Sequence, residues 1–150
     1  MSPIPPVEFE YPWALAAGEH EGSHLLIRFR QFPEDFARAQ FPERINIFWR
    51  MYEPELNGLP TNQESQRLET FENRLVSAVE RDGHSILSVV LTCAGRREFV
   101  FHTADVAEFV QRLTNMPQEV ERYPIDLLRN NDPDWAYFDA VTPQVGPAGT

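Results

Sequence analysis

The spacing of apolar side chains divides the chain into segments with two different periods. Residues 44–52 alternate apolar and polar side chains, with Ile45, Ile47, Trp49 and Met51 on one side. This alternation predicts a strand with one face in the core. Residues 61–83 instead repeat apolar side chains at helical spacing, which predicts a helix that packs on one face. Thr61-Asn-Gln-Glu64 has the sequence of a capping box at its start, and Asp82-Gly83 is predicted to end it.

The remaining segments complete one fold pattern. We predict further strands at 86–93, 97–102 and 123–129, a second helix between Thr103 and Pro117, and an N-terminal hairpin of residues 13–17 and 24–30 with a longer loop at 18–23. From residue 44 onward the order is β-α-β-β-α-β, the split βαβ pattern of a ferredoxin-like sandwich. The predicted fold is therefore α+β, an antiparallel sheet with two helices on one face plus an N-terminal hairpin.

The same pattern predicts a single domain. Residues 9–138 contain every predicted element and include no linker or internal repeat. Residues 1–8 and 139–150 are rich in proline, glycine and small side chains, so we expect flexible tails there.

Composition narrows the cellular setting and the chemistry. With 42% hydrophobic residues among 150, the chain is expected to form a packed globule. No apolar run approaches the length needed to cross a bilayer, and the single cysteine, Cys93, favours a reducing cytoplasm. All thirteen basic residues are arginine, which excludes a lysine Schiff base and a phosphate-loop lysine.

The net charge of −10 changes the expected partner. It disfavours direct nucleic-acid binding, which depends on neutralising phosphates, and suits docking on a basic protein surface. Acids on the helix faces are the predicted contact surface: Glu64, Glu69, Glu80 and Asp82. Binding through them is expected to weaken as the salt concentration rises.

One stretch carries the letters of a zinc-protease motif, His20-Glu21-Gly-Ser-His24. That motif works on a helix, where i and i+4 histidines reach one metal with the glutamate beside them. Here Gly18, Gly22 and Ser23 favour a turn between strands. We therefore predict a solvated turn and no metal or other cofactor, with a zinc-dependent hydrolase as an alternative function.

Glu72 falls inside the apolar stripe of the first helix and is expected to face the sheet. A carboxylate there needs a partner, because burial without one is costly. An arginine is the expected partner, and Arg97 is our choice. The functional alternative is a general base with a raised pKa, and we favour a structural ion pair.

Two further groups contain side chains that are capable of chemistry. Cys93 is expected at a strand end, with His102 at the far end of the next strand opposite Ile86 or Leu87, too distant to act as its base. A structural thiol is therefore predicted. Asp132-Pro-Asp-Trp135 is read as a turn whose tryptophan packs back on the domain.

The sheet face opposite the helices is expected to combine aromatic and basic side chains: Phe48, Arg50, Tyr52, Arg28, Arg30, Val100 and His102. Such a face is typical of sheets that stack RNA bases. The acidity of the chain argues against that use, so a face covered by the hairpin or by a protein is preferred.

Several short segments together resemble the bacterial domain-of-unknown-function family six hundred and ninety-five: 58–60, 68–75, 91–99 and 132–135. The positions that match its pattern are Gly58, Pro60, Glu72, Gly95, Arg97, Asp132 and Trp135. That family is distantly similar to the regulator that inhibits ribonuclease E. The resemblance implies a ferredoxin-like fold and a protein-binding mode, and it brings no catalytic residues.

The sequence therefore predicts a non-enzymatic, acidic, cytoplasmic regulator that binds another protein. The expected partner is a nucleic-acid enzyme with a basic surface, such as a nuclease. An immunity protein that neutralises a basic toxin is a second alternative.

Overall fold

The computed structural model describes residues 11–143 and shows an α+β fold built on one six-stranded antiparallel sheet. Three α-helices accompany it within these residues, together with a short 3-10 turn at Arg38–Gln40. In chain order the elements are β1 (Trp13–His20), β2 (Ser23–Arg30), β3 (Glu43–Arg50), α1 (Asn62–Val79), β4 (Ser85–Cys93), β5 (Arg96–Thr103), α2 (Val106–Asn115), β6 (Ile125–Asn131) and α3 (Ala136–Val141).

The strand order across the sheet is β1-β2-β4-β5-β3-β6, and every neighbouring pair is antiparallel. The part from β3 to β6 has the connectivity β-α-β-β-α-β and the strand order of a ferredoxin-like sandwich. β1 and β2 extend the sheet beyond β4. The predicted α+β class, sandwich and N-terminal hairpin are confirmed.

The main core lies between the sheet and the two long helices, on what we call the helical face. β3 contributes Ile45, Ile47, Trp49 and Met51, as its alternation predicts, and all four are buried. The helical stripe of α1 packs against them through the buried side chains Leu68, Phe71, Leu75 and Val79. Burying each such side chain contributes about 1.5–3 kcal/mol to stability. The apolar faces of β3 and α1 therefore hold the helix against the sheet.

A second apolar cluster covers the opposite side of the sheet, which we call the far face. Its buried members are Ile27, Phe29, Phe41, Ile86, Val89, Val100, Trp135 and Phe138. The cover comes from α3 and from the segment that contains Phe32 and Phe36, whose rings contact Trp135. The sequence predicts a covered face, but its assignment of that role to the hairpin is wrong, because β1 and β2 lie in the sheet itself.

Two arginines of β2 join the hairpin to α1. Arg30 Nη2 bonds both carboxylate oxygens of Glu80, at 2.9 and 3.1 Å, and Arg28 donates to Glu72. The Trp13 ring lies against both guanidinium groups, whose Cζ atoms are 4.6 and 4.7 Å from its centroid. We call these five side chains the hairpin ladder.

The hairpin ladder corrects one prediction, the placement of Arg28 and Arg30 on the far face with Phe48. Ile27 pairs with Leu91 and Phe29 with Val89, and these apolar side chains belong to the far-face cluster. Because successive strand residues point to opposite sides, the two arginines lie on the helical face.

Two boundaries also differ from prediction. β1 and β2 pair continuously up to His20 and Ser23, so the connection is the two-residue turn Glu21-Gly22 rather than a loop over 18–23. Both turn residues have positive φ, 50° and 83°, as tight hairpins favour. Residues 139–141 belong to α3, so the C-terminal tail does not begin at residue 139; residues 1–10 and 144–150 lie outside the described part.

None of the helices in residues 11–143 combines the length and the apolar character that crossing a membrane requires.

Candidate functional site

The connection between β3 and α1 exposes apolar and acidic side chains together, and we call residues 52–57 the 52–57 loop. Tyr52 is 83% exposed and Leu56 is fully exposed. Glu53 and Glu55 beside them are also exposed, and neither has an ion pair within residues 11–143. The loop contains no basic residue.

Hydrogen bonds fix the backbone of the 52–57 loop at both ends. The Tyr52 amide donates to Glu64 Oε1 at 2.6 Å. The Glu55 amide donates to the Leu59 carbonyl, and the Gly58 amide donates back to the Glu55 carbonyl, both at 2.8 Å. Since these bonds hold the backbone, the loop has little backbone entropy left to lose on binding.

Two glycines of the family pattern anchor the loop to the β4–β5 turn. The Gly95 amide donates to the Gly58 carbonyl at 2.9 Å, and the Met51 amide donates to the Gly95 carbonyl at 3.0 Å. Gly58 has φ +82°, and a Cβ there would lie 2.9 Å from Cα and N of Ala94. Only glycine fits this approach, and half-buried Pro60 follows just before the Thr61 cap of α1.

Open depressions flank the 52–57 loop on two sides. One of about 460 Å³ lies between Tyr52, Glu53 and the first turn of α1. The other, of about 620 Å³, lies between Leu56 and the hairpin turn at Gly22. Tyr52 and Leu56 therefore project from a ridge that a partner can contact from two sides.

The acids predicted to form the partner surface do not form one surface. Glu64 and Glu80 are buried, which contradicts that prediction: Glu64 accepts from the Tyr52 amide, and Glu80 belongs to the hairpin ladder and also accepts from the Leu87 amide. Asp82 is exposed, but Arg112 bonds both its oxygens at 2.8 Å, and these hydrogen bonds lower the pKa of Asp82. Glu69 is exposed.

Glu72 faces the sheet and meets an arginine, but the choice of Arg97 as its bonded partner is wrong. Arg28 donates to Glu72, whereas Arg97 Nε donates to Thr92 Oγ1 at 2.9 Å. Burial lowers the pKa of Arg97, while the charge of Glu72 opposes that effect and the charge of Arg28 adds to it. The three groups form an arginine–glutamate–arginine cluster, in which the Glu72 carboxylate offsets the charges of two arginines. This arrangement favours a structural role for Glu72.

Asp132 and Trp135 start α3. Asp132 accepts from the amides of Ala136 and Tyr137 at 2.9 and 3.3 Å and pairs with Arg44 at 2.8 Å. These bonds lower the pKa of Asp132 against the effect of its burial. Trp135 has φ +58° and is fully buried, and its indole Nε1 donates to the Phe41 carbonyl at 3.0 Å.

The zinc-motif letters fall on the hairpin turn. His20 pairs with Ser23, and His24 pairs with Glu19. Because adjacent strand positions face opposite sides, the two imidazoles lie on different faces of the hairpin and cannot share one ion. Within residues 11–143 no three His, Cys, Asp or Glu side chains come close enough to hold a metal.

Cys93 and His102 are well separated, as the sequence predicts. Cys93 pairs with Arg96 at one end of the β4–β5 hairpin, and His102 pairs with Ile86 at the other. Cys93 is half-buried and lines a cavity beside α3. His102 is fully buried and stacks on Trp135 at 3.8 Å, and burial lowers its pKa to about 3.

The face suggested as RNA-like is not available as one sheet surface. Val100 and His102 are buried beneath the far-face cover. Phe48 is half-buried against the Arg96 guanidinium, 4.7 Å from its ring centroid. Only Arg50 and Tyr52 are exposed, at the edge of that face.

Sequence reasoning did not single out Leu56, Glu98 or Tyr137. Leu56 sits in the turn-forming stretch 53–60, where an apolar side chain has no strand or helix to bury it. Glu98 alternates with apolar residues of β5 on a face where Val100 and His102 are buried, so a charged residue there is the available signal.

Residues 12–141 match a family described as a family of unknown function, DUF695. No curated protein matches the chain, and no solved structure does.

Proposed function

Because this chain belongs to a family of unknown function, DUF695, its role has to come from its own surface, and we propose a non-catalytic acidic domain that binds a cytosolic protein through the 52–57 loop. The partner is a nucleic-acid enzyme, specifically a nuclease. Such enzymes carry basic surfaces that attract phosphates, and those surfaces complement a chain with a net charge of −10.

The observation that carries the proposal is the exposure of Tyr52 and Leu56 on a hydrogen-bonded loop. An exposed aromatic side chain with a polar hydroxyl is typical of the few residues that dominate binding energy. Leu56 adds apolar area, worth about 25 cal/mol for each Å² that a partner covers. The matching surface is an apolar pocket that receives both side chains.

The charges around the 52–57 loop indicate which side chains of the partner surround its apolar pocket. Eight of the thirteen arginines form ion pairs with acids of the same chain. Glu53 and Glu55 have no such pair in the described residues, so their carboxylates remain free for arginine or lysine side chains at the rim of an interface. Rim charges mainly raise the association rate and make it depend on salt.

A capture experiment with three baits tests the proposal. The tagged wild-type chain, a Tyr52→Ser/Leu56→Ser double variant and a Val120→Ser control are each incubated with nuclease-treated lysate of the host. Val120 is fully exposed outside the loop, so its substitution removes surface apolar area without touching the 52–57 loop. Wild type and control are expected to retain the same stoichiometric basic protein, which the double variant loses.

Calorimetry with the purified partner then measures the apolar contribution as a dissociation constant, and stopped-flow mixing at several salt concentrations measures the charged contribution as an association rate. The double substitution is expected to raise the dissociation constant at least about tenfold, which corresponds to a loss of about 1.4 kcal/mol of binding free energy. A Glu53→Gln/Glu55→Gln variant is expected to flatten the salt dependence of the association rate. Equal capture by all three baits, salt-insensitive binding, or a partner that does not act on nucleic acid would each overturn the proposal.

A further inference from the structure

A cavity of about 410 Å³ lies between α3 and the far face, and no residue of the 52–57 loop lines it. Its apolar wall includes Leu25 and Leu91 from the sheet and Val141 from α3. Its volume falls within the range of about 300–1,000 Å³ that is usual for small-molecule sites. Polar groups of opposite charge, Glu98 and Arg96, line the same space.

Glu98 is the unusual member of this cavity, because it is a buried carboxylate that forms no direct ion pair with a described residue. The residue is 8% exposed, and no basic side chain of residues 11–143 lies within ion-pair distance. Removing a carboxylate from water without an opposite charge is costly. The wall of the cavity therefore holds a carboxylate that no cationic group of residues 11–143 contacts directly.

Hydrogen bonds hold Glu98 in place through one of its two oxygens. Asn46 Nδ2 donates to Oε2 at 2.7 Å, and the Tyr137 hydroxyl donates to the same oxygen at 2.5 Å. Burial and then the hydrogen bond to Glu98 raise the pKa of Tyr137, so this phenol keeps its proton and acts as a donor. The other oxygen, Oε1, accepts no hydrogen bond from a described residue, and it is the atom left to bind a cationic donor.

Arg96 supplies the opposite charge at the mouth of the cavity. Its side chain is exposed, lies over the Phe48 ring at 4.7 Å, and forms no ion pair with a described acid. A guanidinium held against an aromatic face presents its N–H groups in a plane that suits a carboxylate.

We propose that this cavity binds a free α-amino acid with a large apolar side chain. The ammonium group bonds Glu98 Oε1, the carboxylate bonds Arg96, and the side chain packs against Leu25, Leu91 and Val141. This arrangement neutralises both charges of the cavity and fills its apolar part. It uses no residue of the 52–57 loop, so it is a separate proposal from partner binding by that loop.

The test uses L-leucine and two analogues that each lack one charge. Nuclear magnetic resonance titration of the full chain is carried out with L-leucine, with N-acetyl-L-leucine, which has no ammonium, and with L-leucinamide, which has no carboxylate. L-leucine is expected to shift the amide signals of Glu98 and Tyr137. Both analogues are expected to bind at least about tenfold more weakly.

Variants assign the contacts. Glu98→Gln keeps one side-chain oxygen that can accept from both Asn46 and Tyr137, as Oε2 does now, but it removes the charge, and it is expected to abolish L-leucine binding. Arg96→Gln changes an exposed residue and is expected to bind L-leucine and L-leucinamide equally. Glu69→Gln removes an exposed acid on α1 and is the matched control, expected to bind like wild type.

Several outcomes would overturn the proposal. These are no shift with L-leucine and none with L-phenylalanine titrated in the same way, equal binding of the N-acetyl analogue, or unchanged binding by Glu98→Gln. Equal binding of L-leucinamide to the wild type would instead assign the cavity to a peptide N-terminus and reject the free amino acid. Partner capture by Glu98→Gln is expected to be unchanged, so failure here is distinguishable from failure of the proposed function.

Discussion

At the scale of single residues, His102 is the side chain whose protonation the fold opposes most clearly. It is fully buried, and neither ring nitrogen has a hydrogen-bond partner within residues 11–143. Burial lowers its pKa to about 3; Asp132 opposes this shift, and Arg44 and Arg38 add to it. The folded protein therefore keeps His102 neutral at pH values where the unfolded chain, with a pKa near 6.5, binds a proton.

We expect this difference to make the protein less stable in mild acid. Stability from His102 is complete above pH about 6.5 and falls as the pH decreases toward about 3, because only the unfolded state gains the proton. Between about pH 7.5 and about pH 5.5 the loss is about 1.4 kcal/mol. Urea unfolding of wild type and His102→Phe at both pH values measures it, since Phe can still stack on Trp135 but cannot titrate.

The comparison rests on the pH dependence and not on the absolute stability of the variant. Other titrating groups, including His84, whose pKa burial also lowers, are present in both proteins and cancel. An identical pH dependence in His102→Phe would show that the folded protein accepts a proton on His102, contrary to this account.

Gly58 and Gly22 allow a second comparison between single residues. Both have positive φ, +82° and +83°, but a Cβ at Gly58 meets the Ala94 backbone at 2.9 Å whereas one at Gly22 meets nothing within 4 Å. Alanine at either position is expected to lower the free energy of unfolding by about 1–2 kcal/mol, because an L-residue is strained in the left-handed conformation. We expect Gly58→Ala to lose a further ~1–3 kcal/mol from overpacking, measured as the difference between the two urea unfolding free energies. Equal losses would mean that the 52–57 loop shifts away without strain.

At the scale of secondary-structure elements, the hairpin ladder determines how β1 and β2 sit against α1. Its two ion pairs differ in environment: Arg30 and Glu80 are both buried, whereas Arg28 keeps about a third of its side-chain exposure. Burial raises the pKa of Glu80, and the charge of Arg30 opposes that shift. Removing either partner of the buried pair is therefore costly, because it leaves the other charge buried and unpaired. In the outer pair, the Glu72 carboxylate offsets the positive charges of both Arg28 and Arg97.

Glu72→Gln tests the outer pair. The substitution leaves the Arg28 and Arg97 guanidinium groups facing each other without a carboxylate, and we expect the free energy of unfolding to fall by about 1–3 kcal/mol. Glu69→Gln on the same helix removes one exposed acid and is expected to stay within about 0.5 kcal/mol of wild type. Chemical denaturation of the three proteins measures both. Unchanged stability of Glu72→Gln would favour a functional role for this acid.

At the scale of the whole molecule, local periodicity was enough to predict the order of the elements from β1 to β6. Burial on one side leaves a periodic pattern within a single segment of the sequence. Examples are the alternation of Ile45, Ile47 and Trp49 and the helical stripe from Leu68 to Val79. The position of the strands in the sheet followed from the βαββαβ order, because few topologies accommodate it.

What the sequence left open depends on pairs of distant segments. Alternation along β2 separates Ile27 and Phe29 from Arg28 and Arg30, but which set meets the helices is decided by pairing with β4, about sixty residues later. From its position at the end of the first helix, Glu80 is expected to be exposed to solvent. It is buried because Arg30, which is 50 residues earlier, bonds its carboxylate. α3 has six residues, too few for a periodic signal.

The candidate sites were hidden for the same reason. Leu56 lies in a loop that Gly58 and Gly95 hold against the β4–β5 turn, and Glu98 gains its partner Tyr137 from α3, 39 residues later. Neither contact leaves a local pattern. The zinc-motif letters from His20 to His24 were visible in the sequence, but the two imidazoles lie on opposite faces of the hairpin.

The position of Trp135 has a consequence for synthesis. It completes the far-face cluster from a point 94 residues after Phe41, whose carbonyl accepts its indole N–H. On the ribosome, Phe32, Phe36 and Phe41 emerge well before the residue that covers them. Throughout that interval the nascent chain carries exposed aromatic rings, the kind of surface that chaperones bind and that aggregates form from. Translation pauses between these positions would lengthen that exposure, whereas pauses after Trp135 would not.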